Sequence, residues 1–181
     1  MNSAEIDHIT TLVSRCKKGD KPAQYQIYLE YADAMFNICK RFVSNHADAE
    51  DLLQDAFVKA FTGLHKLKSN RNFGGWLKKI TVHECLNYLK KKKIVFDEIQ
   101  DISGEIPETG DEQIKIDNEA LNKAIAGLPE GSRIIFNLYL IEDYKHKEIT
   151  RMLGISVSTS KSQYARAKRL LKKKLLKNDV R

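Results

Sequence analysis

The segment from Tyr144 to Leu176 has the residue pattern of two helices that meet at a glycine. Gly154 stands where a helix end favours a residue that can adopt a positive φ. Ser156, which follows it closely, is a residue type that caps the start of a helix. The apolar side of the first helix is formed by Ile149, Met152 and Leu153. The pattern predicts a helix-turn-helix whose second helix, from Val157, is strongly basic.

The second helix has two chemically different faces. Apolar or small residues recur at steps of three and four, which predicts an inward face. These residues are Val157, Ser160, Tyr164, Ala167, Leu171 and Leu175. The remaining face offers the short polar groups and cations that suit a major groove and its flanking phosphates. The DNA contacts predicted there are Ser158, Thr159, Lys161, Ser162, Gln163, Arg166 and Arg169. The alternative is an ordinary helical hairpin with a basic face.

Charge is distributed unevenly along the chain. There are 31 Lys and Arg residues against 24 Asp and Glu residues, a net charge of +7, which favours an anionic partner. Residues 94–117 hold eight acids and one lysine, a local charge of −7, so the remainder carries +14. This stretch also contains two glycines and a proline, and it predicts a flexible acidic linker between two basic domains, 1–93 and 118–181.

Long helical patterns and the absence of sustained strand alternation predict an all-α protein. Eight helices are expected, at Ala4–Lys17, Lys21–Val43, Ala47–Leu67, Phe73–Lys92, Asp111–Gly127, Pro129–Glu142, Lys145–Leu153 and Val157–Leu176. The fold class is therefore two small helical domains joined by the acidic linker, with the helix-turn-helix in the C-terminal one.

Several protein classes are disfavoured by the sequence. No window approaches the run of about 18 apolar residues that a membrane span needs, and residues 1–20 lack the apolar core of a signal peptide. We therefore expect a cytoplasmic protein without membrane insertion. Cys16, Cys39 and Cys85 form no CxxC pair and are expected to be reduced, semi-buried thiols. His83 and Cys85 supply at most two metal ligands where structural zinc takes four, so we expect no metal and no other cofactor.

The predicted helix that follows Asn45 has an acidic outer face. Asp48, Asp51 and Asp55 recur at steps of three and four, with Gln54 beside them. Acids near a helix start usually stabilise the helix dipole. The other interpretation is that the acids repel DNA locally and dock a basic protein surface. The residues alone do not decide between these two interpretations.

The next predicted helix combines aromatic residues with lysines. Such a surface suits single-stranded nucleic acid, because bases stack on aromatic rings and cations hold phosphates. We expect Trp76 to pack in the core beside Leu77 and Ile80. The surface candidates are Asn72, Lys78, Lys79, Asn87 and Lys90.

Taken in order, six blocks of the chain resemble the extracytoplasmic-function (ECF) sigma factors, the small sigma subunits of bacterial RNA polymerase, in the versions typical of Bacteroidetes. The blocks are RCKKGDKPAQ, DAEDLLQDAFVKAF, NFGGWLKKI, NYLKKKK, LPEGSRIIFNLYLIEDYKHKEITRMLGIS and STSKSQYARAKRLL. The resemblance covers nearly the whole chain. It implies a promoter-specificity subunit without enzymatic activity or a small-molecule substrate, whose partners are core polymerase, promoter DNA and, in many relatives, an anti-sigma factor.

The resemblance also implies roles for particular residues. Polymerase docking would fall to Asp48, Glu50, Asp51, Leu52, Gln54 and Asp55. The minus-ten element would be bound by Lys68, Asn70, Arg71, Asn72, Phe73, Lys78, Lys79, Asn87 and Lys90, with the loop from Lys68 to Phe73 taking an extruded base. The helix-turn-helix would read the minus-thirty-five element, and the linker would run toward the polymerase active-site channel.

Some positions depart from the family pattern. Gln163 stands where many relatives carry Arg. Val82, His83 and Asn87 replace the Arg, Asn and Asp frequent in the family, so the minus-ten preference does not transfer.

Two other classes compete. One is a helix-turn-helix regulator that binds duplex DNA as a dimer without polymerase. The other is a helical enzyme, which finds little support because no paired carboxylates converge with a His or a metal-spaced cluster.

Overall fold

A computed structural model describes residues 3–92, Ile94, Phe96 and residues 118–178. Those residues form helices and turns with no strand, so the predicted all-α class is confirmed. The helices are α1 (Ser3–Cys16), α2 (Lys21–Phe42), α3 (His46–Thr62), α4 (Phe73–Lys91), α5 (Asn118–Ala126), α6 (Glu130–Phe136), α7 (His146–Leu153) and α8 (Val157–Asn178). In the described part of the chain, no helix is long and apolar enough to cross a membrane.

The chain divides into two compact units, Met1–Leu89 and Lys90–Arg181. The predicted linker and the start of the fifth predicted helix lie outside the described residues, apart from Ile94 and Phe96. The domain boundaries at 93 and 118 therefore stay predictions.

Helix starts in the N-terminal unit are fixed by side-chain caps. The Asp20 carboxylate accepts a 3.1 Å hydrogen bond from the Ala23 backbone N–H, and Pro22 occupies the first turn of α2. The predicted cap of α3 is confirmed, because Asn45 Oδ1 accepts from the Ala47 N–H at 3.1 Å. Each of the two helices buries one apolar face. The largest fully buried side chains of this unit are Phe42, Phe73, Ile27, Leu77, Val13, Val82 and Thr81.

The C-terminal unit is built around the inner faces of α5, α6 and α8. Its buried cluster consists of Ala124, Ile125, Leu128, Phe136, Ala167 and Leu171. The predicted turn is confirmed: Gly154 has a φ of 71°, and its N–H donates to the Thr150 carbonyl. The predicted cap is also confirmed, because Ser156 Oγ accepts from the Thr159 N–H at 3.0 Å. Together they fix the direction in which α8 leaves α7.

Two predicted helices differ in their ends. The third was predicted to continue to Leu67, but α3 ends at Thr62 and a short 3₁₀ turn follows over Leu64–Lys66. The sixth was predicted as one helix to Glu142, but α6 ends at Phe136 and a π-helical turn follows over Asn137–Ile141. Apolar periodicity continues through both changes of winding, so it does not mark them.

Candidate nucleic-acid and polymerase interface

The exposed start of α8 presents hydroxyl groups and cations. Ser158, Lys161 and Arg169 are exposed, and Ser162 and Arg166 are half-buried. The Ser156 hydroxyl lies 2.7 Å from that of Ser158, so the two hydrogen-bond at the first turn of the helix. This face has the composition that the sequence predicted for DNA contacts.

The predicted outward orientation is wrong for two residues of α8. Thr159 is 8% exposed and Gln163 is 2% exposed, so neither side chain lies on the surface. Gln163 Oε1 instead accepts a 2.6 Å hydrogen bond from the Ser132 hydroxyl of α6. Gln163 precedes Ala167 and Leu171 at steps of four residues, and this spacing could have indicated that it faces inward. Val157, predicted to face inward, is 40% exposed because it begins the helix beyond the core.

An aromatic cluster holds the start of α7 against α8. The His146 ring stacks on Tyr139 with centroids 4.3 Å apart, and Tyr164 meets it edge-on at 6.0 Å. His146 Nδ1 lies 2.8 Å from Ser160 Oγ, a hydrogen bond between the two helices. Burial, and then the charge of Lys161, lower the pKa of His146 below its ordinary value. The neutral imidazole is therefore favoured at this helix contact.

Two exposed cations on α7 were missed by the sequence analysis. Lys147 and Arg151 are exposed and lie four residues apart, on one side of the helix. Their i, i+4 spacing was the signal that could have found them. They add positive charge to the unit that carries the basic face of α8.

The outer face of α3 is acidic, as predicted. Asp51, Gln54 and Asp55 are exposed, and Asp48 is half-buried. Glu50 is also exposed, with its carboxylate 3.4 Å from His46 Nδ1. Leu52 is 4% exposed and packs in the core, so its side chain does not lie on the acidic face predicted to dock polymerase. It lies in the family block but belongs to the buried face of α3, with Ala49, Leu53 and Ala56.

The loop between α3 and α4 is tied to α1. Asn70 Nδ2 donates a 2.8 Å hydrogen bond to Ser14 Oγ, and Lys17 Nζ donates to the Leu67 carbonyl at 3.0 Å. Arg71 lies 3.7 Å from the Asp7 carboxylate. Phe73 is fully buried against Tyr31, so its side chain does not lie on the surface predicted to contact the minus-ten element. The other predicted strand contacts are exposed or half-buried: Lys68, Asn70, Arg71, Asn72, Lys78, Lys79, Asn87 and Lys90.

A cavity of about 500 Å³ opens beside this loop, between the end of α3 and α4. It is lined by Lys59, Thr62, Gly63, His65, Lys66, Trp76, Lys79, Ile80, His83 and Glu84. Trp76 was predicted to pack inside the core, but it is half-buried and forms part of the wall. Lys59 Nζ donates a hydrogen bond to the Glu84 carboxylate in the same wall. Apart from Lys79, none of these residues was predicted as a nucleic-acid contact. Trp76, Lys79, Ile80, His83 and Glu84 share one face of α4 at steps of three and four, but no spacing links them to the residues from the end of α3.

Known proteins match the chain in both units. The Sigma-70 region 2 family matches residues 27–94, and the Sigma-70, region 4 family matches residues 118–171. The chain is 27% identical over 177 residues to the ECF RNA polymerase sigma factor SigW of Bacillus subtilis, covering 90% of this chain and 94% of SigW. This chain belongs to the ECF sigma factors. The ECF RNA polymerase sigma-E factor of Escherichia coli K12 is 26% identical over 177 residues, covering 91% of this chain and 92% of that factor.

Two solved structures share the fold of this sigma factor. The sigma factor RpoE in complex with the anti-sigma factor NepR, from Bartonella quintana, aligns with a TM-score of 0.51 at 22% identity, covering 83% of this chain and 95% of that one. CnrH in complex with the cytosolic domain of CnrY also aligns with a TM-score of 0.51, at 21% identity, covering 94% and 98%. The predicted family and the predicted role as an RNA polymerase sigma factor are confirmed. The Bacteroidetes-type assignment stays a prediction.

Proposed function

We propose that this sigma factor docks on core polymerase through the acidic face of α3, reads the upstream promoter element with α8, and captures the unpaired downstream strand with its N-terminal unit. The observation that supports these separate roles is that negative and positive surfaces lie in different units. An exposed acidic face on α3 and an exposed polar and cationic face on α8 lie in different units of a chain with a net charge of +7.

Docking follows from the chemistry of α3. Asp51, Gln54 and Asp55 project from one side of the helix, while the opposite side is buried. A basic surface on the polymerase would gain charge-assisted contacts there, and the same acids would keep duplex DNA away. Leu52 contributes by packing the helix, not by touching the partner.

Reading of the upstream element falls to the exposed start of α8. Ser158 and Ser162 would reach base edges, while Lys161, Arg166 and Arg169 would contact phosphates. Lys147 and Arg151 of α7 would add phosphate contacts. Gln163 and Thr159 are not part of this set because their side chains are buried.

Strand capture would use the exposed cations around the α3–α4 loop and on α4, chiefly Lys68, Lys79 and Lys90, together with Asn72 and Asn87. Catalysis stays with the polymerase, and the sigma factor acts in the cytoplasm, where the polymerase is. An anti-sigma factor that covers one of these faces is the further partner we expect, since RpoE and CnrH were both solved with protein partners.

Transcription in vitro tests the proposal. Core polymerase with the chain should initiate at discrete sites on genomic DNA of the source organism, mapped by sequencing RNA 5′ ends. Asp51→Lys with Asp55→Lys should abolish core binding in pull-down and with it the new start sites. The matched control is Glu30→Lys with Asp33→Lys, the same charge change on exposed positions of α2, which should retain binding.

The outcomes separate the competing classes. A folded chain that yields no initiation above core alone would contradict the proposal. A dimeric regulator would instead bind specific duplex DNA tightly without polymerase and would not retain core polymerase in the pull-down.

A further inference from the structure

An exposed apolar pair, Tyr25 and Leu29, lies on the outer side of α2. Tyr25 is 64% exposed and Leu29 is 58% exposed, and the two are one helical turn apart. In the described part of the chain, the other exposed large hydrophobic residues are Val58, Leu140 and Val157, each on a different element. Single exposed apolar side chains are ordinary on a protein surface, whereas neighbouring ones favour contact with a partner.

Burial on the opposite side of α2 fixes the direction of the apolar pair. Ala23 and Ile27 are fully buried, and each lies two residues from a member of the pair, about 160° away around the helix. The start of α2 is held as well, because the Asp20 carboxylate that caps it accepts a 2.8 Å hydrogen bond from Arg15 Nε. The apolar pair therefore points outward from an anchored helix.

Opposite charges flank the apolar pair at equal spacing. Lys21 precedes Tyr25 by four residues and Asp33 follows Leu29 by four, so the four side chains form one row along α2. Both charged side chains are exposed, and neither has an ion-pair partner among the residues that the structure describes. The row is therefore cationic at one end, apolar in the middle and anionic at the other end.

This order is self-complementary in an antiparallel pair of helices. When a two-fold axis relates two copies, each residue before the midpoint of the contact meets the residue equally far beyond it on the other copy. Positions 25 and 29 share their midpoint with positions 21 and 33. Tyr25 would therefore lie on the partner's Leu29, and Lys21 would lie beside the partner's Asp33. The acidic face of α3 differs, because its acids would repel a second copy of themselves.

We propose that two copies of the chain associate through α2, antiparallel about a two-fold axis, with the apolar pairs at the centre and a Lys21–Asp33 ion pair at each end. The occupant is a second copy because complementarity about one shared midpoint is what a two-fold contact requires. One helix face from each copy makes a small interface, so the dimer is transient, with a dissociation constant on the order of 100 μM. The inference goes beyond the proposed function, and its failure would leave polymerase docking and DNA binding standing.

Sedimentation equilibrium of the full chain, without DNA or polymerase, measures the association. Between about 10 μM and about 500 μM, at an ionic strength near physiological, the wild type should show a monomer–dimer equilibrium. No larger oligomer should form, because a two-fold contact is closed. A single monomeric species at every concentration would overturn the inference.

Charge variants test the pairing at the two ends. Asp33→Lys and Lys21→Asp should each weaken dimerisation about tenfold, because each turns both ion pairs into repulsions. The two variants change the net charge in opposite directions, so total charge does not explain a loss in both.

Two combinations restore attraction at each end of the contact. One is the double variant, Lys21→Asp with Asp33→Lys, and the other is an equimolar mixture of the two single variants. Both should associate within about threefold of the wild type. If either combination stays as weak as the single variants, the antiparallel pairing is wrong.

Leucine variants test the centre of the contact. Leu29→Gln should weaken dimerisation at least about tenfold, since it replaces an apolar contact with a side chain that favours water. Leu140→Gln is the matched control, because Leu140 is 57% exposed and lies in the C-terminal unit. It should leave the dissociation constant unchanged. An equal loss in both variants would show association through any exposed apolar side chain and would also overturn the inference. Circular dichroism and thermal unfolding confirm that each variant is folded.

Discussion

The hydroxyl of Ser132 donates a 2.6 Å hydrogen bond to Oε1 of Gln163, and both side chains are buried between α6 and α8. The contact joins the helix that carries the exposed polar face to the core of its unit. Gln163 therefore positions α8 on the core of its unit.

Gln163→Ala should lower the free energy of unfolding by about 1–3 kcal/mol, because it leaves the buried Ser132 hydroxyl without its acceptor. Urea unfolding followed by circular dichroism measures the change. Ser158→Ala is the control: its side chain is exposed, so stability should stay within about 0.5 kcal/mol while DNA binding weakens. Equal stability of Gln163→Ala and the wild type would contradict the structural role of Gln163.

Caps and apolar periodicity were sufficient to predict the helices. Asn45, Gly154 and Ser156 act through local backbone geometry, which sequence alone encodes. Side-chain direction was less predictable. The steps of four from Gln163 to Ala167 and Leu171 indicate an inward position, but a polar side chain favours the surface unless a buried partner is known. Gln163 needed Ser132, 31 residues earlier, to be recognised.

The cavity was beyond sequence reasoning for a related reason. Its wall brings the end of α3 beside α4, where Gly63 lies next to the Trp76 ring. Nothing in the sequence around either residue indicates that the two lie side by side. Phe73 and Leu52 show the converse error, since family position suggested a surface role for residues that tertiary packing buries.

Gly154→Ala should destabilise the C-terminal unit by about 1 kcal/mol. The φ of 71° is a left-handed conformation, which an L residue with a Cβ adopts only at a cost. Gly75→Ala provides the matched control, because Gly75 lies in α4 with nothing within 4 Å of an added Cβ. Alanine favours a helix over glycine, so that change should raise the free energy of unfolding by about 0.5 kcal/mol. Urea unfolding measures both changes in the free energy of unfolding. Changes of opposite sign in the two variants would confirm the prediction, and changes of the same sign would contradict it.

The stability of the C-terminal unit should depend on the protonation of His146. The folded pKa lies below the ordinary value near 6.5, so the unfolded chain takes up the proton first as the pH falls. The free energy of unfolding should therefore fall as the pH drops through about 6.5, and stop falling once folded His146 is protonated. The groups that face the ring are Lys161, Ser160, Tyr139 and Tyr164.

Urea unfolding at pH 7.5 and pH 5.5 measures this effect, with His146→Gln as the comparison. The difference in stability between wild type and variant should shrink at the lower pH, because only the wild type loses the His146 contribution. The other four histidines of the chain are at positions 8, 46, 65 and 83, before Leu89, and are unchanged by the variant. A difference that is the same at both pH values would contradict the prediction.

The salt dependence of DNA binding should distinguish the residues of α8 that contact phosphates from those that contact bases. Each cation that contacts a phosphate releases counterions, so Lys161→Ala and Arg169→Ala should each reduce the slope of log K against log salt by about 1. Ser158→Ala should weaken binding with little change in slope, because a neutral hydroxyl releases no counterion. Lys173→Ala removes an exposed cation further along α8, outside the predicted contact set, and should leave the slope unchanged. Anisotropy titrations of the full chain with a short duplex at several salt concentrations measure the slopes of all four variants. An equal loss of slope in Lys161→Ala and Lys173→Ala would contradict the prediction. It would show that the charge of α8 acts diffusely and not through contacts at the start of the helix.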